Sequence, residues 1–179
     1  MGASGGGSAH YDRRMDPRVI EVLAAWEPGV SPFETSDKLW QLHAYRVARC
    51  LVDQVSDDAV TLQAHVDERT LGQFIRAVGS IGANIAEGYS RRGLTDRARF
   101  YGYALGSQRE AMLWLRSLSF AMPAEAVSLR MLMLAQVRQL LIGLVRSVQA
   151  RGEIRFQARG AAREQRGGAA APRPPNPEE

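Results

Sequence analysis

The chain has 179 residues, 45% of them apolar and 23% charged, with 23 Lys or Arg against 19 Asp or Glu and a formal net charge of +4. That length suits one domain with tails, and the apolar share is that of an ordinary globular protein. A single cysteine, Cys50, excludes an internal disulfide and any cysteine-cluster metal site, and its apolar helical surroundings mark it as buried filler.

Charge is spread unevenly. Residues 36–155 hold sixteen basic and eleven acidic side chains, residues 1–35 hold three and five, and the residues after 155 hold four and three. Lys38 is the only lysine; the remaining basic residues are arginines, whose planar forks suit phosphate. No secretory leader is recognised. The longest apolar stretch, Met131 to Val145, is broken by Gln136, Arg138 and Gln139 and is too short to span a bilayer. A cytoplasmic protein with no membrane partner is expected.

In chain order, Met1 to Ser8 is Gly/Ser-rich and reads as flexible. A short helix is expected from Met15 to Trp26, with Val19, Val22, Leu23 and Trp26 on one side and Glu27-Pro28-Gly29 ending it. Residues 1–35 thus read as a flexible head, 36–156 as the folded domain, and 157–179 as a disordered Arg/Ala/Gly/Pro tail. The first long helix is predicted over Asp37 to Ser56 with Ser36 as its N-cap. It carries one stripe of Trp40, Ala44, Val47, Ala48, Leu51 and Val55, and a second strip of Leu39, Leu42, Tyr45 and Val52.

The second helix is predicted over Glu68 to Arg91, with Gly93 as its stop. The third starts at an N-capping Thr95, with Asp96 in its first turn, and shows Phe100, Ala104, Ser107, Ala111, Trp114, Leu115 and Leu118 on one face. Pro123 opens the fourth, which reaches about Arg151 with Val127, Leu134, Val137, Leu141, Leu144, Val145 and Val148. No strand pattern or internal repeat is present in the sequence. Four long helices with short links predict an all-α, antiparallel up-down-up-down four-helix bundle. The fourth helix is apolar nearly all round, and the third has a second strip of Tyr101, Leu105 and Met112. Such surplus apolar surface predicts self-association.

The most informative stretch is Ser80-Ile81-Gly82-Ala83-Asn84-Ile85-Ala86-Glu87-Gly88. Ile81 and Ile85 continue a face begun by Phe74, Ile75 and Val78. Gly79, Ser80, Gly82, Ala83 and Ala86 predict the close approach of a neighbouring helix, since each interior glycine costs about 1 kcal/mol relative to alanine. This run, ending in Arg91 and followed by Phe100 and by Ala104-Leu105-Gly106-Ser107 with Glu110, resembles the four-helix-bundle proteins of 23S rRNA intervening sequences. The resemblance covers roughly Asp37 to Arg151 and is distantly shared with the accessory variability determinants of diversity-generating retroelements. It implies a ring-shaped homo-oligomer, with a homopentamer favoured. A likeness in function to the retroelement proteins would add a reverse transcriptase and its template RNA as partners. The head is a departure from the family pattern.

Asn84 and Glu87 lie one turn apart, and Glu110 on the third helix is expected to approach them in a structural polar network. Glu87 would be held by Arg91 or Arg109; as a buried pair, its loss would cost about 3–5 kcal/mol. An orphan enzyme built on Asn84, Glu87 and Glu110 is the weakest reading. His10, His43 and His65 have no ligand spacing, and neither a catalytic triad nor a phosphate loop is visible. No catalysis, metal or cofactor is expected. The nucleic-acid-binding candidates are Arg91, Arg92, Arg97 and Arg99 around the Gly93-Leu94 turn, with Arg76 and Arg109 along the same helices and Arg116 beside them. Arg146, Arg151 and Arg155 continue into Arg159, Arg163 and Arg166, which a disordered tail would make weaker contributors. Tyr89, Tyr101 and Tyr103 are expected in the core or an interface. The function predicted is a non-catalytic, oligomeric accessory protein that binds nucleic acid, structured RNA above DNA. The alternative is a scaffold that recruits a protein partner without nucleic acid.

Overall fold

The computed structural model describes residue 11 and residues 13–167, apart from the side chains of residue 156 and residues 159–167. Six α-helices account for most of them: α1 (Pro17–Trp26), α2 (Pro32–Thr35), α3 (His43–Leu62), α4 (Glu68–Ser90), α5 (Leu94–Leu118) and α6 (Ala124–Gly167). Short 3-10 turns at Glu27–Gly29, Lys38–Gln41 and Ser119–Ala121 join some of these, and the described residues contain no strand.

The four long helices share one period. Buried residues recur at alternating intervals of three and four: Leu71, Phe74, Val78, Ile81, Ile85 and Gly88 on α4, and Tyr101, Ala104, Gln108, Ala111, Leu115 and Leu118 on α5. On α3, Ala44, Ala48, Leu51 and Val55 follow the same rule, as do Arg130, Leu134, Val137 and Leu141 on α6. This heptad seam favours shallow crossing and knobs-into-holes packing. Contacts run from α3 to α4, α4 to α5, α5 to α6 and α6 back to α3, the neighbour order of an up-down-up-down bundle.

Several predicted boundaries move. The first long helix does not begin at Asp37. Asp37 caps the Lys38–Gln41 turn, accepting from the Leu39 N–H at 2.7 Å, while the hydroxyl of Ser36 donates to the Phe33 carbonyl. Leu42 is extended, and α3 starts after it. The α5 face is rotated from the one expected: Tyr101 and Gln108 point inward, and Phe100, Ser107 and Trp114 are only half-buried. Gln108 is fully buried and donates to the Leu134 carbonyl of α6 at 3.1 Å, which ties α5 to α6 through a polar core residue. The helix predicted to stop at Arg151 continues to Gly167, so the expected tail is helical over its first eleven residues; 168–179 lie outside the described residues. The Ala, Arg, Gln and Glu of that stretch are good helix formers, which carries α6 past the bundle despite its glycines. Between Ala124 and Arg155, α6 is long and apolar enough to cross a membrane by length and composition, against the sequence expectation. Its inward seam packs on α3 and α5.

The head is the largest correction. Residues 1–10 and 12 lie outside the described residues, but Met15, Val19 and Leu23 are part of the core, and α1 packs on α3 and α6. Polar ties to the bundle fix it, among them an ion pair of Arg49 with Glu34 at 3.5 Å. Glu27 Oε1 pairs with Arg46 at 3.0 Å, both largely buried, while Glu27 Oε2 accepts from the Tyr11 hydroxyl at 2.9 Å. Burial and that hydrogen bond push the Tyr11 phenol up to about 12. The Trp26 indole donates to Asp53 at 3.0 Å, and the Asp16 N–H donates to Gln136 Oε1 at 2.7 Å. Trp26 stacks on Trp40 at 5.8 Å. The second apolar strip of the first predicted long helix is thereby packed against the chain's own core through Leu39, Leu42, Tyr45 and Val52. Cys50 is fully buried beside it, and burial raises its thiol to about 12.

Two outcomes are expected. In denaturant melts, Gly88→Ala should cost about 1–3 kcal/mol, because its new Cβ would stand 2.8 Å from Tyr101 Cε1. Glu27→Ala strands the Arg46 guanidinium, whose Nε already has no partner, and should cost about 3–5 kcal/mol. A Glu27→Ala variant that melts with the parent would mean that the head is not anchored through this pair.

Candidate nucleic-acid interface

The turn between α4 and α5 brings the arginine candidates together. Gly88 sits in the last turn of α4, and the Tyr101 ring covers the place where a side chain would stand. That contact draws the start of α5 against the end of α4, so that residues 91 to 99 crowd one end of the bundle. Tyr101 is buried, which raises its phenol above the ordinary range. The chain leaves α4 at an extended Arg91, and Gly93 precedes α5 with no side-chain cap; Thr95 lies inside the helix rather than capping it.

The four arginines do different work. Arg97 reaches back to the end of α4, donating to the Arg91 carbonyl at 2.7 Å and the Tyr89 carbonyl at 3.3 Å. These are among the carbonyls that a helix C-terminus leaves without intrahelical partners. Arg97 is therefore a cap in guanidinium form and is not open to a ligand in this arrangement. Arg91 pairs with Glu87 one turn earlier and lies over the Phe100 ring at 4.8 Å. Arg99 pairs with Asp96 at 3.1 Å and lies over the same Phe100 ring at 5.8 Å. Arg92 is exposed and makes no hydrogen bond or ion pair among the described residues. The same holds for the exposed Arg76 on α4 and Arg109 on α5. Two carboxylates thus offset half of the four-arginine cluster.

The expected polar network of Asn84, Glu87 and Glu110 does not form. Asn84 donates to the Ser80 carbonyl of its own helix at 2.8 Å, and Glu110 accepts from the Trp114 indole at 3.4 Å. Glu87 keeps the arginine partner foreseen for it, but its side chain is 46% exposed. It is a surface pair, so the cost foreseen for removing it falls to about 0.5 kcal/mol. The sequence reading missed Gln108 and the Glu27–Arg46 and Arg130–Asp58 pairs. Arg130 makes a two-pronged contact to Asp58, at 2.8 and 3.0 Å, between α6 and α3. Both buried arginines occupy or border heptad positions, a signal the sequence did contain. Among the described residues, no three His, Cys, Asp or Glu side chains gather as a metal site.

The described residues thus form a small all-helical protein, a heptad-packed bundle with a capped α4–α5 turn. The chain matches the model of the 23S rRNA-intervening sequence proteins over residues 40–128 and, through that span, belongs to the family. Among solved structures it is similar to a protein of unknown function from the S23 ribosomal protein family of Bacteroides thetaiotaomicron. The two share 20% identity over 57% of this chain and 97% of that chain, with a TM-score of 0.54, a likeness of fold. No curated protein matches the chain. The head before Trp40 and all of α6 after Ser128 lie outside the family match.

Arg97→Ala should cost about 1–3 kcal/mol in thermal or denaturant unfolding, by leaving the α4 carbonyls short of a donor. Glu87→Ala and Arg92→Ala should each stay within about 0.5 kcal/mol of the parent. Equal losses at Arg92 and Arg97 would contradict the division of labour drawn here.

Proposed function

We propose that this protein is a non-catalytic, homo-oligomeric accessory protein that binds structured RNA through arginines on its outer faces. Membership in a family named for 23S rRNA intervening sequences supports an association with RNA. The observation that carries the reading is the set of exposed, uncommitted arginines, Arg76 on α4, Arg92 in the α4–α5 turn and Arg109 on α5, all within the family match. Contacts of this kind read backbone and shape more than sequence. On this reading the protein acts in the cytoplasm, and a reverse transcriptase is one candidate partner.

Self-association draws support from glycines that the single chain does not explain. Gly79 on α4 and Gly102 and Gly106 on α5 have nothing within 4 Å of a built Cβ. Each weakens its helix by about 1 kcal/mol, a cost that close packing of a second copy would offset. A protein-interaction scaffold is the rival reading, favoured by the exposure of Phe33 (87%), Phe120 (76%) and Leu113 (61%).

Purified protein should bind a labelled RNA hairpin with an affinity that falls steeply as salt rises. Light scattering should give a mass several times that of the chain. Gly106→Glu, which has open space in the single chain, should return the mass towards a monomer and leave the helical circular dichroism unchanged. An oligomer that binds no RNA at low salt would move the scaffold reading ahead.

A further inference from the structure

The strongest feature not absorbed by the bundle is the end of α6. Arg151, Arg155, Arg159 and Arg163 follow one another at intervals of four, and Arg166 comes three later. The helix is continuous from Ala124 to Gly167. With 3.6 residues per turn, these five positions fall within about a third of the helix circumference, along roughly 22 Å of axis. Arg151 and Arg155 are exposed. Five arginines against two glutamates, Glu153 and Glu164, leave the segment strongly positive. In register, both glutamates lie on the opposite side of the helix from the middle of the arginine row.

We propose that the α6 extension is the principal phosphate-binding element of this protein, a helical arginine rail for the backbone of structured RNA. The proposal rests on the RNA-binding reading above and assigns it a site. The charges of the α4–α5 turn are largely committed: Arg97 to carbonyls, Arg91 to Glu87 and Arg99 to Asp96. In register, no acidic residue of the segment falls on the rail's own face. Its order also reverses the sequence-based ranking. A disordered tail loses conformational entropy on binding, whereas an arginine row already on a helix presents its charges together. Steps of about 6 Å between successive arginines let neighbouring guanidinium groups meet neighbouring phosphates of one strand.

The composition of the segment selects RNA over a lipid surface. A helix that lies in a membrane interface needs a broad apolar face opposite its basic one. Here the large apolar residues are Ile154 and Phe156, both near the start, and the rest of the non-arginine positions are chiefly Ala, Gly and Gln. The extension also lies beyond the family match, which ends at residue 128, so the rail is a property of this chain.

The test uses the full chain, a fluorescently labelled RNA hairpin and anisotropy titrations over a range of salt. The variant with Arg151, Arg155, Arg159, Arg163 and Arg166 all changed to Gln should lose about tenfold or more in affinity. Its log–log salt slope should flatten by about 0.7–0.9 for each phosphate contact removed. Ala158→Pro keeps every charge but interrupts the helix, and should weaken binding about threefold or more, with the bundle intact by circular dichroism. Changing Arg91, Arg92 and Arg99 to Gln should cost less than the rail variant. Unaltered RNA binding by the five-Gln variant would overturn the rail while leaving RNA binding itself standing. Parent-like binding by Ala158→Pro would show that loose charge suffices and overturn the helical site. A parent that binds vesicles containing phosphatidylglycerol and no RNA would overturn both the rail and the RNA-binding reading.

Discussion

The contact between Tyr101 and the bare backbone at Gly88 is the constraint on which the bundle depends. It sets how closely α5 approaches α4, and so fixes the register of the hairpin that contributes two of the four long helices. With Tyr101 seated, Ala104, Gln108, Ala111, Leu115 and Leu118 fall in turn on the inward face, opposite Ile85, Ile81, Val78 and Phe74. The same approach places Arg97 within reach of the carbonyls that close α4. One missing side chain therefore links a packing decision to the disposition of charge at the end of the bundle.

The head changes what the bundle presents to its surroundings. A four-helix core of this size would leave the flank of α3 and α6 partly apolar. Here α1 covers it, held by Glu27–Arg46, Trp26–Asp53 and Asp16–Gln136. Buried ion pairs are poor sources of net stability, and in some proteins their role is to select against mispairing. That role fits Glu27–Arg46 and Arg130–Asp58, which join separate elements at the borders of the apolar seam. Surface left for partners consequently shifts from α3 towards the glycine-bearing faces of α4 and α5 and the projecting end of α6.

Arginine dominates the basic residues, and the fold divides that population by function. Arg46 and Arg130 are buried in ion pairs, Arg97 caps a helix, and Arg49 packs against Trp26 while pairing with Asp53. Arg76, Arg92, Arg109, Arg151 and Arg155 remain exposed. Counting charge over the sequence treats these groups alike, although the buried and capping arginines are closed to phosphate and the exposed ones are open to it. The guanidinium's many donors allow one residue type to serve both ends.

Helical periodicity by itself determined the all-α class, the four long helices and most of their inward residues, because amphipathic patterning is a local property of the chain. The run from Ser80 to Gly88, together with Arg91, Phe100 and Ala104-Leu105-Gly106-Ser107, likewise indicated the family. Tertiary structure decided the rest. Gly88, rather than Gly79 or Gly82, became the point of close approach because only there does an aromatic ring arrive from the neighbouring helix. Gln108 entered the core because the Leu134 carbonyl of α6 was there to accept from it. Glu87 stayed on the surface because its face of α4 is turned from α5's core residues. The head folded onto the bundle because Arg46 and Asp53, far from it in sequence, supply its partners. Such pairings depend on which elements meet, and no local pattern in the chain encodes that.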